Sequence, residues 1–210
     1  MIGHRVVETA LGPLTLVGEG EVLTGVYFPE HRPAPRAEIE VPLLPWTLGE
    51  AARQLQEYLT GERTAFTLDV RLPQAPRLHR SVWDLIAEIP RGQTRTYSGL
   101  AATLAVPAHP RAVGGAVARN PLSIVVPCHR MLGSSGSLTG YAGGLARKRA
   151  LLELEGALPR RAAETGIRPK GGRISAHCRP PGGALYKSRP NESTFAPKGP
   201  SCVFSPTAPP

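Results

Sequence analysis

Cys128 and His129 stand side by side in the string Pro127-Cys128-His129-Arg130, pairing a thiol with an imidazole. Directly upstream, Ser123-Ile124-Val125-Val126 reads as a buried strand, bounded by Asn120-Pro121 and by Pro127. A cysteine at a strand end is held rigidly and can face a cleft. Its thiolate is the strongest soft nucleophile available to a side chain. A free thiol titrates near about 8.5, so little of it is ionised at neutral pH without a nearby base. His129 is the candidate base. Taken alone, the dipeptide is a weak signal and fits a packed core cysteine better.

The elements that must position this pair divide the chain into three parts. Residues 1–73 read as a small α/β unit. Two β-type runs, 14–17 and 23–28, flank the turn Gly18-Glu19-Gly20 and predict a hairpin. Residues 49–60 have helical spacing at Ala52, Leu55 and Leu59, with Gly61 as a cap, and a further strand is expected over 65–72. Pro73-Gln74-Ala75-Pro76 marks a linker.

Residues 74–157 read as a mainly helical unit. A helix over 79–89 presents Val82, Leu85, Ile86 and Ile89 on one face. A short helix over 97–104, with Ser98 as N-cap, leads through a turn at 106–109 into a second helix over 110–119, which Pro110 opens. Two helices joined so tightly suggest a helix-turn-helix. Gly114 and Gly115 inside the second helix cost about 1 kcal/mol each relative to alanine. Ala112, Ala116 and Ala118 strip it of further bulk, so it is built to lie close to a neighbouring helix or to a nucleic-acid groove. A glycine-rich loop over 134–144 and a helix over 145–154 complete the unit. Residues 158–210 are read as a disordered tail, because 157–210 hold ten prolines, nine basic side chains and few apolar clusters.

Charge is uneven along the chain. The net +9 resolves into −3 over residues 1–77, +5 over 78–156 and +7 over 157–210. The segment that holds Cys128 is therefore positive in its own right, as phosphate binding favours. Three cysteines (Cys128, Cys178 and Cys202) make no disulfide framework and have no metal-ligand spacing. His4, His31 and His79 read as surface or structural residues. No run of apolar residues is long enough for a membrane span, and the chain is expected to be a cytoplasmic monomer.

The string from Ile89-Pro90 through Tyr97, Arg111-Ala112-Val113-Gly114, Asn120-Pro121 and Pro127-Cys128-His129-Arg130 to Gly140-Tyr141 and Glu155-Gly156 resembles the O6-alkylguanine-DNA alkyltransferases. The resemblance is specific over residues 78–157 and looser before them. It implies single-turnover transfer of an alkyl group from O6-alkylguanine, and from O4-alkylthymine, in double-stranded DNA to Cys128, without metal or cofactor. His129 then acts through a bridging water as general base, Glu155 orients the imidazole, and Tyr97 hydrogen-bonds the base and supplies a proton. Asn120 ties the active-site turn, and Arg111 fills the gap left by the everted base. Gly115 lies on the helix that enters the groove, while Tyr141 and the backbone of Ala142 line the pocket. Many relatives carry serine where this chain has Ala142, which implies an altered lesion preference. Two rival readings are a noncatalytic alkylated-DNA binder, against which Cys128 argues, and a cysteine hydrolase, for which an adjacent nucleophile and base are unusual.

Overall fold

A computed structural model describes residues 2–32, 41–105 and 107–159. The expected tail lies outside the described residues from 160 onward, as do Cys178 and Cys202. Val106 of the expected turn is also outside them.

Three antiparallel strands, β1 (Ile2–Val7), β2 (Leu14–Glu19) and β3 (Val22–Tyr27), form a sheet in the order β1-β2-β3. β2 places Leu14 and Leu16 in the core by simple alternation. The expected hairpin joins β2 to β3, with Gly20 at φ 60° in its turn. A bulge at Val17/Gly18 brings the backbone so close that a Cβ on Gly18 would lie 2.3 Å from the Val22 carbonyl oxygen. β1 carries no clean apolar alternation that would predict a strand. Its register against β2 supplies what its own sequence lacks.

The strand expected over 65–72 does not form. Only Val70 bridges Leu23, while the same edge of β3 receives Leu122 against Val26. Leu23 N–H donates to the Asp69 carbonyl (2.9 Å) and Val26 N–H to the Pro121 carbonyl (2.8 Å). One strand edge shared by two segments leaves neither enough ladder to become a strand. The second contact fastens the segment before Cys128 to the N-terminal sheet.

Helix α1 (Gly49–Thr60) packs Ala52, Leu55, Tyr58 and Leu59 inward. The Glu21 carboxylate accepts the Gly49 and Glu50 amides at its start, and Gly61 (φ 87°) closes its end. Helix α2 (Arg77–Ala87) buries Val82, Trp83 and Ile86. A short strand β4 (Arg95–Thr96) pairs parallel with β5 (Met131–Leu132). Helix α3 (Tyr97–Thr103) is capped by Thr96, whose hydroxyl accepts the Gly99 amide at 3.0 Å. The cap is thus Thr96 and not Ser98, because β4 holds Thr96 in the extended conformation an N-cap requires.

Helix α4 (Pro110–Ala118) begins at Pro110 as expected, with His109 as its cap. It buries Val113, Ala116 and Val117, and Trp83 of α2 donates its indole N–H to the Ala116 carbonyl (2.9 Å). Helix α5 (Leu145–Leu154) buries Lys148, Leu151 and Leu152. The hydrophobic core is continuous from Leu14 and Leu55 to Val113 and Leu151.

His31 is 5% exposed, and burial lowers its pKa to about 4. The folded chain holds this imidazole neutral, whereas the unfolded chain takes up a proton near 6.5. Stability attached to His31 is therefore complete above pH 6.5 and drains away as pH falls toward 4. Between those limits the wild type should lose up to about 3 kcal/mol more than His31→Phe. Urea unfolding of both proteins across that range measures the difference.

Candidate active site

The run before Cys128 is buried but is not a strand. Ile124 sits at φ 74°, rare for a β-branched residue, and Val126 N–H folds back to the Leu122 carbonyl at 2.8 Å. Asn120 imposes this turn. Its side-chain oxygen accepts the Leu122 amide (3.0 Å), and its Nδ2 donates to the Val126 carbonyl (2.8 Å) and to Cys128 Sγ (3.1 Å). β-propensity yields here to a buried amide that satisfies the backbone locally. Cys128–Arg130 then form one 3₁₀ turn.

Cys128 is 3% exposed and lines a cavity of about 230 Å³. Tyr97, Tyr141 and Ala142 share that cavity with Gly114 and Val117 of α4. A larger cleft of about 410 Å³ beside Glu8 and Gln56 is lined by no thiol and no imidazole. Among the described residues no group of three or more His, Cys, Asp or Glu could hold a metal ion.

His129 Nε2 lies 2.6 Å from Glu155 Oε1, with both side chains fully buried. Glu155 also accepts from Arg130, Nε at 2.8 Å and Nη2 at 3.1 Å, and from the Tyr58 hydroxyl. Arg130 extends a further hydrogen bond to the Ile89 carbonyl. Burial alone would raise the Glu155 pKa, but the bonds from His129 and Arg130 hold it well below the usual carboxylate range. An ionised carboxylate only accepts, so the proton on His129 must sit on Nε2. Nδ1 keeps its lone pair and, buried, has no partner among the described residues. Burial also lowers the His129 pKa against the pull of Glu155, so the ring is neutral at pH 7. A neutral imidazole with one free nitrogen is a base in waiting.

The thiol itself is pushed up by burial, opposed by the Asn120 hydrogen bond and the charge of Lys148. Lys148 is fully buried and was not singled out in the sequence. Its Nζ donates to the Thr139 (2.6 Å), Gly140 (3.0 Å) and Met131 carbonyls. No carboxylate pairs with it among the described residues, and burial lowers its pKa to about 8. Its charge favours a Cys128 thiolate, which in turn holds the ammonium charged. Lys148→Met should raise the thiol pKa further and slow reaction at pH 7 several-fold, because less of the sulfur is then thiolate. Iodoacetamide kinetics against pH measure both quantities.

The Tyr97 hydroxyl reaches only loosely toward the Thr139 and Gly140 carbonyls, 3.4 Å from each. Burial raises its pKa to about 12, so it stays protonated and able to donate. Tyr141 Oη is buried without a partner among the described residues. Ala142 is buried, and its carbonyl accepts the Arg32 amide. Arg111 is exposed in the first turn of α4. A Cβ on Gly114 would only touch the Tyr97 ring at 3.9 Å, and one on Gly115 would only touch the Arg119 guanidinium at 3.4 Å. Packing inside the protein therefore does not explain the two glycines, which leave α4 thin on its half-buried side.

The whole of this machinery falls inside matched family models. Residues 77–157 match the DNA-binding domain of 6-O-methylguanine DNA methyltransferase, and residues 2–72 match that family's ribonuclease-like domain. The chain belongs to the 6-O-methylguanine DNA methyltransferase family. A methylated-DNA–protein-cysteine methyltransferase of Mycobacterium tuberculosis is 43% identical over 155 residues, covering 74% of this chain and 93% of that protein. One from Methanosarcina acetivorans is also 43% identical, over 73% of this chain and 97% of its own length. The crystal structure of Mycobacterium tuberculosis OGT in complex with DNA matches with a TM-score of 0.68 and 41% identity, covering 74% of this chain and 93% of that one.

Within this methyltransferase scaffold the structure brings Cys128, Asn120, Tyr97, Tyr141 and Ala142 to one cavity or its wall, with His129 and Glu155 behind it. Arg111 and Gly115 lie on α4, which supplies part of the cavity wall. Sequence reading overlooked Tyr58, Arg130 and Lys148. Arg130 stands inside the quoted string, directly after His129, and that position was the available signal. Tyr58 gave none, being 97 residues from its partner.

Proposed function

We propose that this chain repairs DNA in the cytoplasm by moving an alkyl group from O6 of guanine, and from O4 of thymine, onto Cys128. The observation that carries the reading is the buried line from Cys128 and Asn120 to a cavity wall, backed by a His129 whose only free nitrogen is an acceptor. A water takes the thiol proton and passes one to His129 Nδ1, and Glu155 stabilises the resulting imidazolium. Sulfur then attacks the alkyl carbon as the carbon–O6 bond breaks. The departing guanine anion takes a proton from Tyr97. The electron pair of the broken bond leaves with the base, and the new carbon–sulfur bond is a thioether.

Nothing in the site can hydrolyse a thioether, so each molecule acts once. The lesion supplies the transferred group, and no cofactor enters. Reaching the cavity requires the nucleotide to leave the duplex, at a cost of a few kcal/mol. Arg111, exposed at the front of α4, fills the vacated stack and offsets part of that cost. The thin side of α4 at Gly114 and Gly115 lets the helix seat deeply in the minor groove. The Ala142 amide, which has no partner among the described residues, faces O6.

Titrating a duplex with one O6-methylguanine per molecule against increasing protein tests the reading. Methyl transfer should rise linearly and stop at one group per chain. Continued turnover, or binding without transfer, would replace it with a hydrolase or a noncatalytic binder respectively.

A further inference from the structure

The N-terminal sheet reaches the rim of the Cys128 cavity. Beyond β3 the chain turns through Phe28 to His31, closed by His31 N–H donating to the Phe28 carbonyl at 3.1 Å. The buried His31 ring packs edge-on against Tyr27, with centroids 5.1 Å apart. The next residue, Arg32, donates its backbone N–H to the Ala142 carbonyl at 3.0 Å, which is part of the cavity wall. Arg32 is thus fixed by its backbone on one side and by a packed turn on the other.

Its side chain is the opposite: exposed, lining the cavity, and without a hydrogen-bond or ion-pair partner for the guanidinium among the described residues. Every other residue lining this cavity is uncharged, apart from the ionisable Cys128 and tyrosines. An anchored backbone carrying a cation with no partner among the described residues, on the lining of a largely apolar cavity, is arranged for an anion that arrives with the ligand. A base drawn out of a duplex brings its own phosphates to the mouth of the pocket that receives it. The guanidinium fork matches phosphate geometry.

Building on the alkyl-transfer function, we propose that Arg32 is a specificity-determining residue that holds a backbone phosphate of the everted nucleotide. By this contact the N-terminal unit favours lesions carried on a strand over the same alkylated base free in solution. Arg111 and Arg32 then divide the work, one entering the stack and the other receiving what leaves it.

The test compares second-order transfer rates of the full chain from two substrates: a duplex containing O6-methylguanine, and free O6-benzylguanine, whose activated carbon reacts without a strand. Arg32→Gln should lower the duplex-to-free-base rate ratio about fivefold, and Arg32→Lys, which keeps the charge but not the fork, should fall between Arg32→Gln and wild type. The slope of log duplex rate against log salt should also become shallower by about 0.9 in Arg32→Gln, the loss of one phosphate contact. An unchanged ratio overturns the proposal, including the case in which both rates fall together. Wild-type protein inert toward both substrates would instead overturn the function on which the proposal rests.

Discussion

Cys128→Ala should bind a duplex containing O6-methylguanine within about twofold of wild type and accept no alkyl group at all. The sulfur is 3% exposed and contributes no charge to the DNA-facing surface, so its removal leaves the electrostatic part of binding intact. Asn120 Nδ2 loses the contact to Sγ but keeps the Val126 carbonyl at 2.8 Å, so the turn that shapes the cavity persists. The expected stability cost is that of a small buried truncation, about 1 kcal/mol. Fluorescence anisotropy on the labelled duplex reads binding, and a methyl-transfer assay reads the reaction. Transfer by the variant at the wild-type rate would place the acceptor elsewhere.

Glu155→Gln should be the most damaging substitution for the fold. The carboxylate gathers His129, both the Nε and Nη2 of Arg130, and Tyr58 around two oxygens that are shielded from solvent. It also sits at the C-terminal end of α5, where a negative charge opposes the helix dipole, so these donors must hold it there. Glutamine leaves the buried Arg130 without an anion and puts an amide N–H against donors, at a cost of about 3–5 kcal/mol. The same change frees the His129 tautomer, and transfer should fall at least about tenfold in whatever fraction stays folded.

Acid sensitivity supplies an independent readout. Because the folded pKa of Glu155 is depressed, its stabilisation is present above the unfolded value of 4.5 and is lost as pH falls below it. Glu155→Gln should lack that acid-side loss. Tyr58→Phe removes one donor but no charge, and should cost about 1 kcal/mol while leaving the carboxylate ionised. Chemical denaturation at pH 7 and pH 3.5 separates the three proteins.

How far the sequence revealed this arrangement depended on whether the information was local. The hairpin, α1 and its glycine cap, α2, and α4 with its opening proline all follow from periodicity and end signals within a few residues of themselves. The differences lie where a group outside the run decides, whether a neighbouring side chain or a distant strand edge. Residues 123–126 have strand composition, yet Asn120 folds them into a turn because one buried amide meets the needs of several backbone groups at once. Residues 65–72 have strand composition too, but the edge of β3 they would join is shared with Leu122. β1 forms despite a weak pattern because β2 offers it a full ladder.

The site shows the same division. Cys128, His129, Asn120, Tyr97 and Glu155 were readable because they fall in a family string, and the structure supplies their mutual distances. Tyr58 and Arg32 come from the N-terminal unit, which on sequence alone has no visible chemistry. One braces the carboxylate behind His129, and the other lines the cavity. Lys148 looks like one more basic residue in a basic helix, and only burial against three carbonyls distinguishes it.

The central claim is settled most directly by locating the transferred group. The full chain is reacted to completion with a duplex carrying isotopically labelled O6-methylguanine, then digested and mapped by mass spectrometry. One label per chain, entirely on the peptide containing Cys128, is the predicted result. Label on Cys178 or Cys202, or an unmodified Cys128 after the lesion has gone, would contradict the account.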